Sequence, residues 1–231
     1  IIFLYIMIHL WLLIVPTYLY GSKKMSFFEA LTESFRPEGA LLSNENDSNV
    51  LLDNMLRTME FEGGHEDKAY LDSLGYPTIG AGHLLEKKKY DVLPEKYKDL
   101  TWSEEKSQET FFDDYLNKKQ DVARRYGEED FESLPQEVQG ILTDLAFNLG
   151  AEGLFGGAGK KGFPGFLEDI KGKRYGEAAK ELRYKNPDKG NFEMSDWWNQ
   201  VGGDTTESRD EVRSGNRATA TFDLLTSLMN Q

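Results

Sequence analysis

From Val50 to Phe61, apolar residues Leu52, Met55, Leu56 and Met59 recur at steps of three and four, a stripe that predicts a helix. Gly63-Gly64 ends it, because glycine takes the left-handed conformation that stops helices. The pattern then shortens. Lys68-Ala69-Tyr70-Leu71 and Tyr76-Pro77-Thr78-Ile79 read as short strands around an Asp72-Ser73-Leu74-Gly75 turn, with Pro77 restricting the second to a sheet edge or one free side. Gly80-Ala81-Gly82-His83 follows with little side-chain bulk, which suits close approach of a ligand or a neighbouring segment.

Helical spacing returns downstream. Thr101-Trp102-Ser103-Glu104 reads as a capping box opening a helix that buries Phe111, Phe112, Tyr115, Leu116, Val122, Ala123 and Tyr126 and stops at Gly127. Ser133-Leu134-Pro135-Gln136 opens another, with Val138, Ile141, Leu142 and Leu145 inward, so it reads as the central helix of a second lobe. Gly153 to Gly165 reads as a flexible, glycine-rich loop, since no strand precedes it and its spacing suits no nucleotide motif. Phe166 to Leu182 gives two short helices around Gly172, with Ala178-Ala179 marking close packing. Asn216 caps a final helix carrying Phe222, Leu224, Leu225 and Leu228.

The opening residues differ from everything after them. Residues 1–20 are apolar and long enough to span a bilayer, but lack the basic start and small-residue cleavage site of a signal peptide. Lys23 and Lys24 would keep a following domain in the cytoplasm. The competing reading is an upstream extension, with Met25 as the true start. Residues 25–49 read as a leader, with a short helix from Phe27 to Phe35 and a polar linker at Ser43 to Ser48.

With 231 residues, 39% of them hydrophobic and 29% charged, the chain has ample material for a two-lobed globular unit. The absence of cysteine excludes disulfides and thiol chemistry, and three histidines without ligand spacing point away from zinc. A net charge of −13 opposes nucleic-acid binding.

Candidate chemistry gathers between Met59 and Leu85. Glu62 stands where the first helix ends, Asp72 in the polar turn and Thr78 in the second strand. Glycoside cleavage needs one carboxyl that donates a proton and another that is ionised. Desolvation and the negative end of a helix dipole favour the acid form of a carboxyl at a helix C-terminus. Periodicity alone does not choose between Glu60 and Glu62, which flank the stripe on opposite sides. In a chain with 40 acidic residues, such a pair is by itself no evidence.

The wording of the stretch adds more. Glu-Gly, Lys-Ala-Tyr-Leu-Asp and Gly-Tyr-Pro-Thr-Ile-Gly-Ala-Gly-His resemble, in order, the signature of the phage lysozymes, the T-even type and its endolysin relatives. Leu145-Ala146-Phe147-Asn148-Leu149-Gly150, Asp196-Trp197-Trp198-Asn199-Gln200 and Gly215-Asn216-Arg217-Ala218 resemble later segments of that family. The resemblance implies a mostly helical α+β fold of two lobes. A small β-hairpin or sheet lies in residues 50–100, a long connecting helix in 101–127 and a helical lobe in 128–231. It implies Glu62 as general acid, Asp72 as the carboxylate that directs water, Thr78 as its hydroxyl partner and Arg217 as the partner of Glu62. It also implies substrate contacts at Gly82, His83, Leu84, Phe147, Asn148 and Trp197, with Trp197 rather than Trp198 stacking on a sugar.

Three departures accompany the resemblance. Nine residues, Gly63 to Leu71, separate Glu62 from Asp72 where the family usually has eight. Asp196 replaces a base beside the tryptophan, and Val201 to Ser214 is longer than the family's segment. The implied activity is muramidase cleavage of bacterial peptidoglycan, inverting, by a monomer needing no metal or organic cofactor. A membrane is a partner only if residues 1–20 are an anchor. The implied location is the host cytoplasm with export to the wall, or the virion. Alternatives are a lytic transglycosylase, a chitin- or chitosan-cleaving enzyme, and a non-catalytic wall-binding or virion module on the same scaffold. The acidic surface gives no long-range attraction toward an anionic wall, so recognition must come from the site itself.

Overall fold

A computed structural model describes residues 45–202 and 217–230. The chain divides into two compact units, residues 1–49 and 50–231, and the sheet, the helical core and the candidate site all belong to the second. The expectations for residues 1–44, for Asn216 as a cap and for the 203–214 insertion lie outside the described residues.

Helix α1 spans Glu45–Phe61, beginning earlier than the hydrophobic pattern predicts. The polar stretch after Ser43 is therefore not all linker. Once a helix is nucleated, each added residue costs little, so polar residues extend it without an apolar face. The buried face also differs from the predicted stripe. Leu51, Asn54, Met55 and Thr58 are buried, and Leu52 and Leu56 are only half-buried. Two polar residues thus hold positions that apolar periodicity passes over.

A Schellman turn closes α1: Gly63 N–H donates to Glu60 O and Gly64 N–H to Met59 O, with both glycines at positive φ. The chain then builds an antiparallel sheet of three short strands, β1 (Tyr70–Leu71), β2 (Pro77–Ile79) and β3 (His83–Leu84), in the order β1-β2-β3. Pro77 consequently lies in the central strand, not at an edge. It is tolerated there as the first residue of β2, pairing with Leu71 while its carbonyl accepts from Leu85 N–H. Gly80 meets the start of the next helix so closely that a Cβ would fall 2.7 Å from Ser107 Oγ. A neighbouring segment, rather than a ligand, uses that freedom.

Helix α2 runs Glu104–Tyr126. Its N-cap is Ser103, which accepts from Lys106 N–H at 3.2 Å, whereas Thr101 bridges to Lys68. The four-residue box is therefore displaced by two positions, and no glutamate stands where it would return the bond. Short α3 (Glu128–Glu132) leads to α4 (Gln136–Leu149), in which Val138, Ile141, Leu142 and Leu145 are buried as expected. Next come α5 (Ala151–Phe155), α6 (Pro164–Lys171) and α7 (Tyr175–Arg183). The segment between α5 and α6 is a tight turn bridged at Gly157 and Lys160. An unforeseen hairpin, β4 (Tyr184–Asn186) and β5 (Asn191–Met194), precedes α8 (Asp196–Gln200). Helix α9 (Arg217–Ser227) packs on α7, where Ala178 is fully buried.

The helical half holds one continuous core around Phe131, Ile141, Leu145, Phe166, Ile170 and Trp198. Among the described residues no helix is long and apolar enough to cross a membrane.

Asn54 joins α1 to this core. Its Nδ2 donates to Gln136 O at 3.0 Å, and its Oδ1 accepts from Arg57 at 2.9 Å. The amide lies so close over Gly140 that a Cβ there would overlap it. Gly140→Ala is therefore expected to push Asn54 off its carbonyl and lower stability by about 1–3 kcal/mol, the usual cost of overpacking, measured by urea unfolding.

Candidate active site

The end of α1 and the small sheet present the acidic groups. Glu62 follows the last helical residue and still donates its N–H to Thr58 O, so its position is set by the helix. Its Oε1 accepts from Arg217 Nη2 at 2.5 Å. Arg217 is 4% exposed, lies over the Phe61 ring at 5.1 Å, and uses the same Nη2 to reach Asp144 Oδ1 at 3.3 Å. Glu60 is exposed, and so is Glu66. Of the two glutamates that periodicity left open, Glu62 is the one held by a buried arginine.

The other oxygen of Glu62, Oε2, lies beside Gly82. A Cβ on Gly82 would lie 3.8 Å from Oε2. Gly82 itself is exposed at φ +80°, so the backbone beside Oε2 is bare. Any side chain there would be strained by the positive φ, with its Cβ in ordinary contact with Glu62 Oε2.

Asp72 is fixed by its own turn. Its Oδ1 accepts from Leu74 N–H and Tyr76 N–H, both at 2.8 Å, and its backbone closes the hairpin with Tyr76 and Gly75. Thr78 is buried, its hydroxyl donating to Tyr76 O at 3.1 Å. Thr78 is paired with Tyr70 on one side and Leu84 on the other, so these three form a row across the sheet. The Tyr70 phenol is pushed up by its burial and then by the charges of Glu66, Asp72 and Glu62. One side chain thus registers the charges of both Glu62 and Asp72. Sequence reasoning missed Tyr70, although it stands only two residues before Asp72.

The remaining expected residues divide. His83 Nδ1 bonds Asp114 Oδ2 on α2 at 2.7 Å, and its ring lies 5.3 Å from that of Trp102. It fastens the sheet to the long helix. Leu84 is exposed. Phe147 is half-buried, stacked on Tyr115 at 5.8 Å and near Phe111, with Lys118 Nζ above its ring. Trp197 and Trp198 are both buried, at 3% and 1% exposure. The expectation that Trp197 stacks on a sugar therefore fails: a covered indole has no free face. Its Nε1 instead donates to Asn148 Oδ1 at 2.8 Å, which orients the Asn148 amide.

Asp144 is the group that sequence reasoning did not single out. It is 2% exposed, on α4, between Arg217 and the charge of Arg57. Burial pushes its carboxyl up, against the pull of Arg217, Arg57 and the Thr58 side chain, and the charge of Glu62 adds to the upward push. An aspartate three residues after Ile141, at an inward position of α4, was the available signal, since aspartate is almost never fully buried unless paired.

The family model described as phage lysozyme matches residues 59–192, more than half of the chain. The chain belongs to the phage lysozyme family. A phage lysozyme is a peptidoglycan hydrolase of the glycoside hydrolase type, acting on the bacterial cell wall. The mostly helical α+β fold agrees with that membership. The matched segment includes Glu62, Asp72, Thr78, Gly82, His83, Leu84, Phe147 and Asn148, whereas Trp197 and Arg217 lie after it. No curated protein matches this lysozyme's sequence.

Proposed function

We propose that this lysozyme is an inverting muramidase in which Glu62 is the general acid, Asp72 directs the attacking water and Thr78 supports that water. The observation that carries the reading is the grip of buried Arg217 on Glu62 Oε1, which leaves Oε2 turned toward the bare backbone of Gly82. Protonated Oε2 would donate to the glycosidic oxygen, and the leaving sugar would depart with that proton. On the opposite sugar face, ionised Asp72 would take a proton from water through Oδ2, because Oδ1 is committed to two backbone N–H groups. Inversion follows from water entering opposite the leaving group. Residues 50–231 form the catalytic unit in this reading, acting as a monomer on the glycan strand to lyse the cell.

The test is incubation of the full chain with purified peptidoglycan. Soluble muropeptides with new reducing ends and inverted anomeric configuration are expected. Anhydro products would replace the hydrolase with a lytic transglycosylase, and no cleavage at any salt concentration would leave a wall-binding module.

Charge adds a second expectation. At −13 overall, the enzyme is repelled by an anionic wall. Lowering the Debye length from about 30 Å at 0.01 M salt to about 8 Å at 0.15 M screens that repulsion. The initial rate of muropeptide release should therefore rise over this range. A rate that falls steadily with added salt would show attraction instead.

A further inference from the structure

We propose that Asp144 is a positioning residue for the general acid, acting through Arg217 to fix and moderate its hold on Glu62. The proposal rests on the reading of Glu62 as the acid. One nitrogen, Arg217 Nη2, lies 2.5 Å from Glu62 Oε1 and 3.3 Å from Asp144 Oδ1, so two carboxylates share one guanidinium NH2 nitrogen. Arg217 reaches this point from the first turn of α9, Glu62 from the end of α1 and Asp144 from the middle of α4. The three elements are far apart in sequence, and the guanidinium is where they converge.

The arrangement resolves a conflict within the site. A buried arginine against a carboxylate favours the ionised form, yet a general acid must retain its proton until the leaving oxygen takes it. A second carboxylate on the same nitrogen offsets part of that positive charge. It also anchors the arginine on a central helix, so Oε1 is held while Oε2 keeps its direction.

The charged and titratable groups around Asp144 come from each packed element. They are Arg57 and Glu62 of the α1 segment, Tyr115 of α2 and Arg217 of α9. Arg57 is committed to Asn54 Oδ1 at 2.9 Å. The Tyr115 phenol is fully buried and is pushed up by burial and by Asp144, so it stays neutral while the enzyme works. Arg217 is the cation whose hydrogen bonds link Asp144 to Glu62.

The experiment compares the full-length parent with Asp144→Asn, which keeps shape and removes charge. The pH dependence of kcat/KM is measured beside thermal unfolding, and Glu62→Gln is included. Loss of the offsetting charge is expected to move the alkaline limb to lower pH by roughly one unit, with kcat falling more than KM changes. A limb that stays in place in a folded Asp144→Asn overturns the proposal. Carbon NMR titration of the carboxyl groups in the parent tests the same point without any substitution. An Asp144 carboxyl that remains protonated through the whole active range also overturns it. An active Glu62→Gln sinks the underlying site reading, whereas an inactive Glu62→Gln with an unmoved Asp144→Asn limb sinks this proposal alone.

Discussion

Glu62→Gln is expected to lower muropeptide release by about 10²–10⁴-fold, the usual contribution of a positioned proton donor. The amide keeps an oxygen for Arg217 Nη2, so the link from α1 to α9 survives and the thermal midpoint should stay near that of the parent. What it loses is the proton for the leaving oxygen. Asp72→Asn should give a comparable loss, because asparagine Oδ1 can still accept from Leu74 and Tyr76 and preserve the turn. The missing charge is then the cause, rather than a collapsed hairpin. Glu60→Gln, altering an exposed side chain, should release muropeptides at close to the parent rate. Activity that survived Glu62→Gln and vanished in Glu60→Gln or Glu66→Gln would move the acid along the chain.

What could be read from sequence follows a physical boundary. Local chemistry was legible: the Gly63-Gly64 stop, the Asp72 turn and the Pro-Thr-Ile strand each depend on neighbours a few residues away. The inward residues of α4 were legible too, because apolar burial leaves a periodic trace. Buried polar groups leave none. Asn54 reaches Gln136, 82 positions away, and Thr58 lies beside Asp144, neighbours that only the tertiary fold brings within reach. The bond from Arg217 to Glu62 spans 155 positions, and no spacing rule covers such a distance. A motif put Arg217 near Glu62, but nothing in that motif introduced Asp144. Trp197 shows the reverse error. Its motif position suggested a surface role, while its burial and its bond to Asn148 make it a support for a side chain beside Phe147. The β4–β5 hairpin escaped because its strands are short and polar around Asn186-Pro187-Asp188, where alternation is too brief to register.

Arg217→Met should lower stability by about 3–5 kcal/mol, the cost of removing one partner from a buried ion pair. Methionine fills much of the arginine volume against Phe61 but leaves Asp144 enclosed with Arg57 and the Thr58 side chain opposing its upward shift. For a chain of this size each kcal/mol shifts the midpoint by roughly 2–4 °C, so a fall of about 6–20 °C is expected. The sign of the pH dependence follows from Asp144, whose folded carboxyl is held above its unfolded value. The folded state then binds more protons than the unfolded one between those two values, and stability falls as pH rises through that window. Removing Arg217 takes away a group that opposes this shift. The window should widen, and the variant should lose more stability at neutral pH than at acid pH. Adding Asp144→Asn to Arg217→Met removes the enclosed charge and should restore much of the midpoint without restoring catalysis, because Glu62 still lacks its grip. Chemical denaturation of the two variants at pH 4 and pH 7 checks both points. An Arg217→Met protein equally destabilised at the two pH values would mean that its loss comes from packing on Phe61 rather than from the charge left on Asp144.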